Sequence, residues 1–178
     1  MRNQKQKLIH IYTGNGKGKT TTAIGLAVRA AGHGIKTIVF QFLKYGNFQY
    51  GEEKTLSRVK NIKFVNFKQK SPFFDKNLNI LLLKKQVEND MKKAFSAVNS
   101  GRYGLVVLDE VTYILNYRLF DEKKFIKKIT AKSVKADIVL TGRHASKALI
   151  KAAGLVTEMK EIKHPFNKGL KARKGVEF

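Results

Sequence analysis

The sequence contains no cysteine, no tryptophan and only two prolines among its 178 residues. The absence of cysteine excludes disulfide bonds, a thiol nucleophile and a cysteine-ligated zinc site. No apolar run approaches the ~20 residues that a membrane-spanning helix needs. Residues 1–7 are polar and lysine-bearing, and the apolar stretch after them is too short for a signal peptide. The sequence therefore predicts a cytoplasmic protein with no membrane partner.

Acidic residues are also scarce. Asp and Glu number 13 against 36 Lys and Arg, which gives a formal net charge of +23. Such a charge favours contact with polyanions, including nucleic acid. The cations are 29 lysines and 7 arginines, however, whereas recognition of bases and bidentate binding of phosphates favour arginine. The charge alone therefore indicates a lysine-rich surface, and we expect no specific nucleic-acid partner.

Apolar runs alternate with helical patterns along the whole chain, and no repeat or linker interrupts them. Continuous aliphatic and β-branched runs are typical of strands in a parallel sheet with both faces covered. We predict a single domain, 1–178, with an α/β fold in which helices flank a mostly parallel sheet. The predicted strands are 8–12, 36–42, 61–67, 104–110, 136–140 and 155–159, the predicted helices are 20–32, 78–100, 121–129 and 145–153, and 43–53 is predicted as a loop.

A glycine-rich segment, 13–21, follows the first predicted strand and opens the first helix. Glycines let backbone N–H groups converge on phosphate oxygens, and a helix N-terminus adds further donors. A Lys-Thr pair supplies a cation for the β- and γ-phosphates and a hydroxyl for Mg²⁺. The full P-loop pattern has a glycine where this chain has Thr13, so a tight turn without a ligand is the alternative. We predict a nucleoside triphosphate site formed by Gly14, Asn15, Gly16, Lys17, Gly18, Lys19, Thr20 and Thr21.

Two adjacent acids, Asp109 and Glu110, follow an unbroken aliphatic run. Ligands of open α/β sheets bind at the carboxyl ends of the strands, where P-loop proteins place a carboxylate that orients Mg²⁺. We therefore expect Asp109 near the metal, with capping of the next helix as the alternative. Arg143 also follows a predicted strand. It could contact a phosphate or one of the two acids, or form a surface salt bridge.

Several segments, taken in order, resemble the P-loop ATP:corrinoid adenosyltransferases, whose phosphate loop also lacks the first glycine. The similarity begins in the phosphate loop and continues to the end of the chain. The segments that carry it are 13–21, 29–34, 41–44, 51–52, 107–113, 141–143, 163–166 and 175–178.

This resemblance implies a RecA-like P-loop fold and a homodimer. It also implies transfer of the 5′-deoxyadenosyl group of ATP to the cobalt(I) of a corrinoid, with release of triphosphate, and a reductase that supplies cobalt(I). The cofactors would be ATP as co-substrate and Mg²⁺ (or Mn²⁺). Thr20, Asp109 and Glu110 would hold the metal, Lys19 would hold the polyphosphate, and Arg143 would join the ATP site. Lys19 and Glu110 are thus the expected catalytic residues.

The chain departs from the family in the segment that contacts the lower face of the corrinoid. The family commonly has Gly-Phe-x-Trp there, whereas this chain reads Ser71-Pro72-Phe73-Phe74. Phe73 and Phe74 are therefore candidates for the corrinoid contact, and packing of both rings in the core is the alternative.

Three other functions are compatible with a P-loop. They are a basic ATPase acting on nucleic acid, a nucleoside kinase and a regulator that only binds ATP. The product formed from ATP separates the reactions: triphosphate for adenosyl transfer, phosphate for an ATPase and ADP for a kinase.

Overall fold

The structure of the chain, a computed structural model, describes residues 7–44, 50–73, 75–165, 169–170 and 172–176. Within these residues one six-stranded sheet is present, and every strand agrees with its prediction to within one residue. The strands are β1 (Ile9–Thr13), β2 (Thr37–Gln41), β3 (Ile62–Asn66), β4 (Leu105–Asp109), β5 (Asp137–Thr141) and β6 (Leu155–Glu158).

Helices flank the sheet, and three of them begin at side-chain caps. Asn79, Asp121 and Ser146 each accept a hydrogen bond from the backbone N–H three residues further on, which satisfies a donor that the first helical turn leaves unpaired. The cap predicted at Asp121 is thereby confirmed. The helices are α1 (Lys19–Gly32), α2 (Gly51–Leu56), α3 (Ile80–Asn99), α4 (Val111–Asn116), α5 (Glu122–Ile129) and α6 (Lys147–Ala152).

The strand order is β3-β2-β4-β5-β1-β6, and all five pairings are parallel. The mostly parallel α/β fold predicted from the sequence is thus confirmed. Strand β5 separates β1, which leads into the phosphate loop, from β4, which ends in Asp109. Because parallel strands end at the same edge of the sheet, the phosphate loop and the acids meet there.

The two faces of the sheet bury different kinds of side chain. On one face Val107 belongs to a cluster with Ala23 and Ala27 of α1, and these small side chains let the helix lie close to the strands. On the other face Leu108 shares a larger cluster with Met91 of α3. Covered on both faces, the central strands hold the ends of β1, β4 and β5 in fixed positions.

Two short helices depart from the prediction. Helix α2 begins at Gly51, inside the segment predicted as a loop, while 45–49 lie outside the described residues. Helix α4 begins one residue after β4 and was not predicted, because it is only six residues long and its first two residues, Val111 and Thr112, are β-branched and do not favour a helix. Glu110 makes the sharp turn between β4 and α4 with a φ of 62°. None of the helices in the described ranges is long and apolar enough to cross a membrane.

Candidate nucleotide and metal site

The phosphate loop lies between β1 and α1 and packs against the chain that follows β6. Gly14 and Gly18 have φ values of 96° and 117°, in the region that favours glycine. A Cβ at Gly16 would lie 2.8 Å from the carbonyl oxygens of Met159 and Lys160. Glycine is therefore needed in this loop for close backbone packing as well as for its turns.

Three polar groups of the loop already have partners inside the protein. The Gly16 N–H donates to the Met159 carbonyl at 2.8 Å, and the Lys19 ammonium donates to the Gly16 carbonyl at 2.7 Å. Burial lowers the pKa of Lys19, although nearby Glu110 opposes this shift. The Lys17 ammonium donates to the Val176 carbonyl at 2.8 Å, which places a segment near the C-terminus beside the loop.

Asp109 is fully buried at the end of β4 and accepts four hydrogen bonds. Oδ1 accepts from the hydroxyls of Thr141 at 2.6 Å and Thr20 at 2.9 Å. Oδ2 accepts from the ammonium of Lys44 at 2.9 Å and from the amide of Gln41 at 3.2 Å. Burial favours the neutral acid, but the charge of Lys44 and the hydrogen bonds from Thr141, Lys44 and Thr20 outweigh it and lower the pKa of Asp109. Asp109 is thus an ionised carboxylate inside the fold.

Glu110 occupies a strained position beside Asp109. Its φ is 62°, an uncommon conformation for a residue with a side chain, and its N–H donates to the Thr141 hydroxyl at 2.9 Å. Oε2 is buried without a hydrogen-bond partner among the described residues. Burial, followed by the charge of Asp109, raises the pKa of Glu110. A buried oxygen that lacks a hydrogen-bond partner among the described residues and lies next to an ionised acid can serve as a ligand for a cation.

Gly142 leaves the space that Glu110 needs. It follows β5 with a φ of 131°, and a Cβ there would overlap the Thr112 hydroxyl and lie 3.4 Å from Glu110 Oε2. The next carbonyl, that of Arg143, accepts from Thr112 at 2.8 Å and from the Asn116 amide at 3.0 Å. The turn after β5 is therefore fixed against α4.

The side chain of Arg143 is half-buried and close to the site. Its charge tends to lower the pKa of Lys19 and of Glu110. In the described ranges, however, Arg143 has no salt bridge within 4 Å. The surface salt bridge considered from the sequence is therefore not formed among these residues.

Lys44 was not predicted as a site residue, although it lies in one of the segments that resemble the family. Its Nζ lies 2.8 Å from Thr20 Oγ1, 2.9 Å from Asp109 Oδ2 and 3.9 Å from Glu110 Oε1. Burial alone would lower the pKa of Lys44, but the two carboxylates raise it well above its usual range. We call Thr20, Asp109 and Glu110 the acidic pocket.

The acidic pocket has the donor set of a magnesium site. A hydroxyl and two carboxylates are hard oxygen ligands, and Mg²⁺ bound with a nucleotide usually takes only one or two carboxylates from the protein, with phosphates and waters completing its shell. No group of three or more His, Cys, Asp or Glu suited to a metal occurs among the described residues. The donor set therefore fits a metal that binds together with phosphates.

A cleft of about 420 Å³ opens above the phosphate loop and the acidic pocket. Its wall includes Tyr50, Gly51 and Glu52 at the start of α2, none of which was predicted as a site residue. Burial raises the pKa of the Tyr50 hydroxyl, so this group is a neutral hydrogen-bonding group at the cleft.

Phe73, one of the two candidate corrinoid residues, does not line this cleft. Phe73 is 66% exposed, and its N–H donates to the Ser71 hydroxyl at 3.2 Å. The alternative that Phe73 packs in the core is thus wrong. Phe74 lies outside the described residues. Leu81 and Leu82, at the start of α3, are also strongly exposed.

A glycine-rich loop between strand and helix, a Lys-Thr pair and a buried carboxylate on a strand two positions away define a P-loop nucleotide-binding protein. The family described as ATP:corrinoid adenosyltransferase BtuR/CobO/CobP matches residues 5–178. The chain belongs to this family, which confirms the resemblance seen in the sequence.

Three similar proteins support the assignment of the chain to this family. A corrinoid adenosyltransferase of Pseudomonas aeruginosa is 36% identical over 173 residues, which cover 94% of this chain and 82% of that protein. A corrinoid adenosyltransferase of a Sinorhizobium species is 34% identical over 183 residues, covering 96% and 80%. The corrinoid adenosyltransferase CobA of Salmonella typhimurium is 30% identical over 182 residues, covering 98% and 87%.

Proposed function

We propose that this protein transfers the 5′-deoxyadenosyl group of ATP to the cobalt of a reduced corrinoid and releases triphosphate. The observation that carries the proposal is the family match over residues 5–178. The geometry supports it, because Lys19, Thr20 and Glu110 line one cleft, and the buried Asp109 accepts a hydrogen bond from Thr20.

The reaction requires little chemistry from side chains. Cobalt(I) of the substrate supplies the electron pair that forms the bond to C5′ of ATP. The bond between C5′ and the triphosphate oxygen breaks, and its electron pair leaves with the triphosphate. No proton needs to be removed from the nucleophile, so no general base is needed. This agrees with a site in which Asp109 is held by four donors rather than left free to accept a proton.

The protein's part is to bind and orient the polyphosphate. Lys19 exchanges the Gly16 carbonyl for phosphate oxygens, and a charge-assisted contact is stronger than the neutral-acceptor bond it replaces. Arg143, which has no salt bridge within the described ranges, supplies a second cation. Both charges stabilise the negative charge that grows on the leaving triphosphate.

Thr20, Asp109 and Glu110 would hold Mg²⁺ (or Mn²⁺). When bound, this ion neutralises part of the negative charge on the leaving group. The observation that supports a cation here is the buried Glu110 Oε2, which has no hydrogen-bond partner in the part of the chain that the structure describes. A homodimer, a reductase that supplies cobalt(I), a cytoplasmic setting and a lower-face role for Phe73 and Phe74 remain part of the proposal.

The visible spectrum of the corrinoid tests the reaction. The wild-type protein is mixed with ATP, Mg²⁺ and chemically reduced cobalamin, and conversion to the alkylated cobalt spectrum is followed. The variant Lys63→Met, which changes an exposed lysine on β3 outside the cleft, should react like the wild type. No alkylated product from a folded wild-type protein would exclude this corrinoid as a substrate. Release of phosphate or ADP instead would favour an ATPase or a kinase.

A further inference from the structure

The ammonium group of Lys44 lies among the oxygens that a metal ion would use. It is within 3 Å of Thr20 Oγ1 and Asp109 Oδ2, and Glu110 Oε1 is 3.9 Å away. Only 16% of the Lys44 side chain is exposed, and 1% of Asp109 and 19% of Glu110. Lys44 is thus a largely buried cation within 4 Å of all three residues of the acidic pocket.

The backbone that carries Lys44 is held by a buried polar network. Leu43 has a φ of 51°, and its N–H donates to the side-chain carbonyl of Gln69 at 3.4 Å. Gln69 is fully buried and donates in turn to Asp90 Oδ2 at 2.8 Å. These contacts fix the turn that directs Lys44 back towards Asp109.

We propose that Lys44 is the resident cation of the acidic pocket: it holds Thr20, Asp109 and Glu110 in place before nucleotide binds, and it leaves these oxygens when a divalent ion enters with ATP. The inference rests on the proposed function, since ATP brings the ion. An ammonium and a divalent ion cannot occupy the same oxygens, because they repel each other and compete for the same lone pairs.

The proposal sets an order of binding. In the nucleotide-free protein the charge of Lys44 already balances part of the charge of Asp109 and Glu110. The electrostatic attraction of the acidic pocket for a divalent ion is therefore weak. The phosphates of ATP give Lys44 new partners on the cleft side, where it already lines the wall with Lys19. The ion and the nucleotide therefore enter together.

The test uses the full chain without ATP or corrinoid. The probe is Mn²⁺ alone, whose electron paramagnetic resonance signal is lost on binding. Wild type and Lys44→Arg, which keep the charge, should bind no stoichiometric Mn²⁺. Lys44→Met should bind one Mn²⁺ per chain, and Lys63→Met should behave as wild type.

Thermal unfolding gives a second readout. Removing one partner of a buried ion pair is strongly destabilising, so the Tm of Lys44→Met should fall by about 6–20 °C. Added Mg²⁺ should restore much of this loss in Lys44→Met, and it should leave the Tm of wild type and Lys63→Met unchanged.

The proposal is overturned if nucleotide-free wild type binds one Mn²⁺ as tightly as Lys44→Met does, or if Lys44→Met binds none. If Lys44→Met is insoluble, Lys44→Gln removes the charge but keeps a donor, and replaces it in both measurements. Adenosyl transfer by the wild type is assayed separately. If the wild type transfers no adenosyl group, the proposed function is contradicted. The Mn²⁺ measurement tests only the role of Lys44.

Discussion

Asp109→Asn is the substitution whose effect the structure defines most sharply. The change keeps the shape of the side chain but removes its charge. An amide oxygen can still accept from the hydroxyls of Thr20 and Thr141. The amide nitrogen, however, would face the ammonium of Lys44 and the amide of Gln41, which are both donors.

The expected loss of stability is large. Breaking one partner of a buried ion pair costs about 3–5 kcal/mol, and Glu110, 3.9 Å from Lys44, offsets only part of this. The surface pair Lys70–Asp75, with side chains 58% and 35% exposed, provides the control, because exposed pairs contribute about 0–1 kcal/mol. Asp75→Asn should therefore leave stability nearly unchanged.

Urea unfolding measures both variants, and pH adds a second check. The pKa of Asp109 is lowered by folding, so its contribution is present above the unfolded value of about 3.9 and is lost as pH falls through the folded pKa. The difference in the free energy of unfolding between wild type and Asp109→Asn should thus be largest at neutral pH and decrease in acid. If Asp109→Asn lowers the free energy of unfolding by less than about 1 kcal/mol at neutral pH, as Asp75→Asn is expected to do, the reasoning is refuted.

Three further substitutions test the site. Lys19→Ala should lower kcat/KM for ATP by at least about 10-fold through a lost charge-assisted contact, and unchanged kinetics in a folded variant would remove Lys19 from the site. Glu110→Gln should need more Mg²⁺ for transfer without loss of Tm, because burial makes the ionised acid costly; wild-type behaviour across a Mg²⁺ titration would leave Asp109 as the only metal-binding acid. Phe73→Ala should keep near-normal stability, since the ring is 66% exposed, rather than lose the ~3–5 kcal/mol of a core ring, and should lose the four-coordinate cobalt(II) resonance signal with bound ATP and corrinoid. Retention of that signal would assign the lower face to another segment.

The sheet could be predicted from the sequence because its strands carry local signals. The run before Asp109 is aliphatic without interruption, and the run at β2 is nearly so, which leaves few alternatives to a strand buried on both faces. Helix α4 could not be predicted in the same way. It is only six residues long and begins with two β-branched residues, Val111 and Thr112, so the sequence carries no periodic pattern that marks a helix there.

The three residues of the acidic pocket could be predicted from the sequence, but the contact of Lys44 with them could not. Thr20, Asp109 and Glu110 follow from motifs at fixed positions, whereas Lys44 depends on tertiary structure. It reaches an acid 65 positions away, through a turn that needs a positive φ at Leu43 and a buried partner at Gln69. No local pattern encodes such a contact, and the resemblance of segment 41–44 to the family does not by itself show which of its side chains reaches the acids.

The identity and stoichiometry of the product formed from ATP test the central claim most directly. Wild-type protein is incubated with ATP, Mg²⁺ and reduced corrinoid, and the polyphosphate and the corrinoid are quantified together. We expect one intact triphosphate for each adenosylated corrinoid, and no triphosphate when reduced corrinoid is omitted. Phosphate or ADP as the main product, or triphosphate released without the corrinoid, would contradict adenosyl transfer at this site.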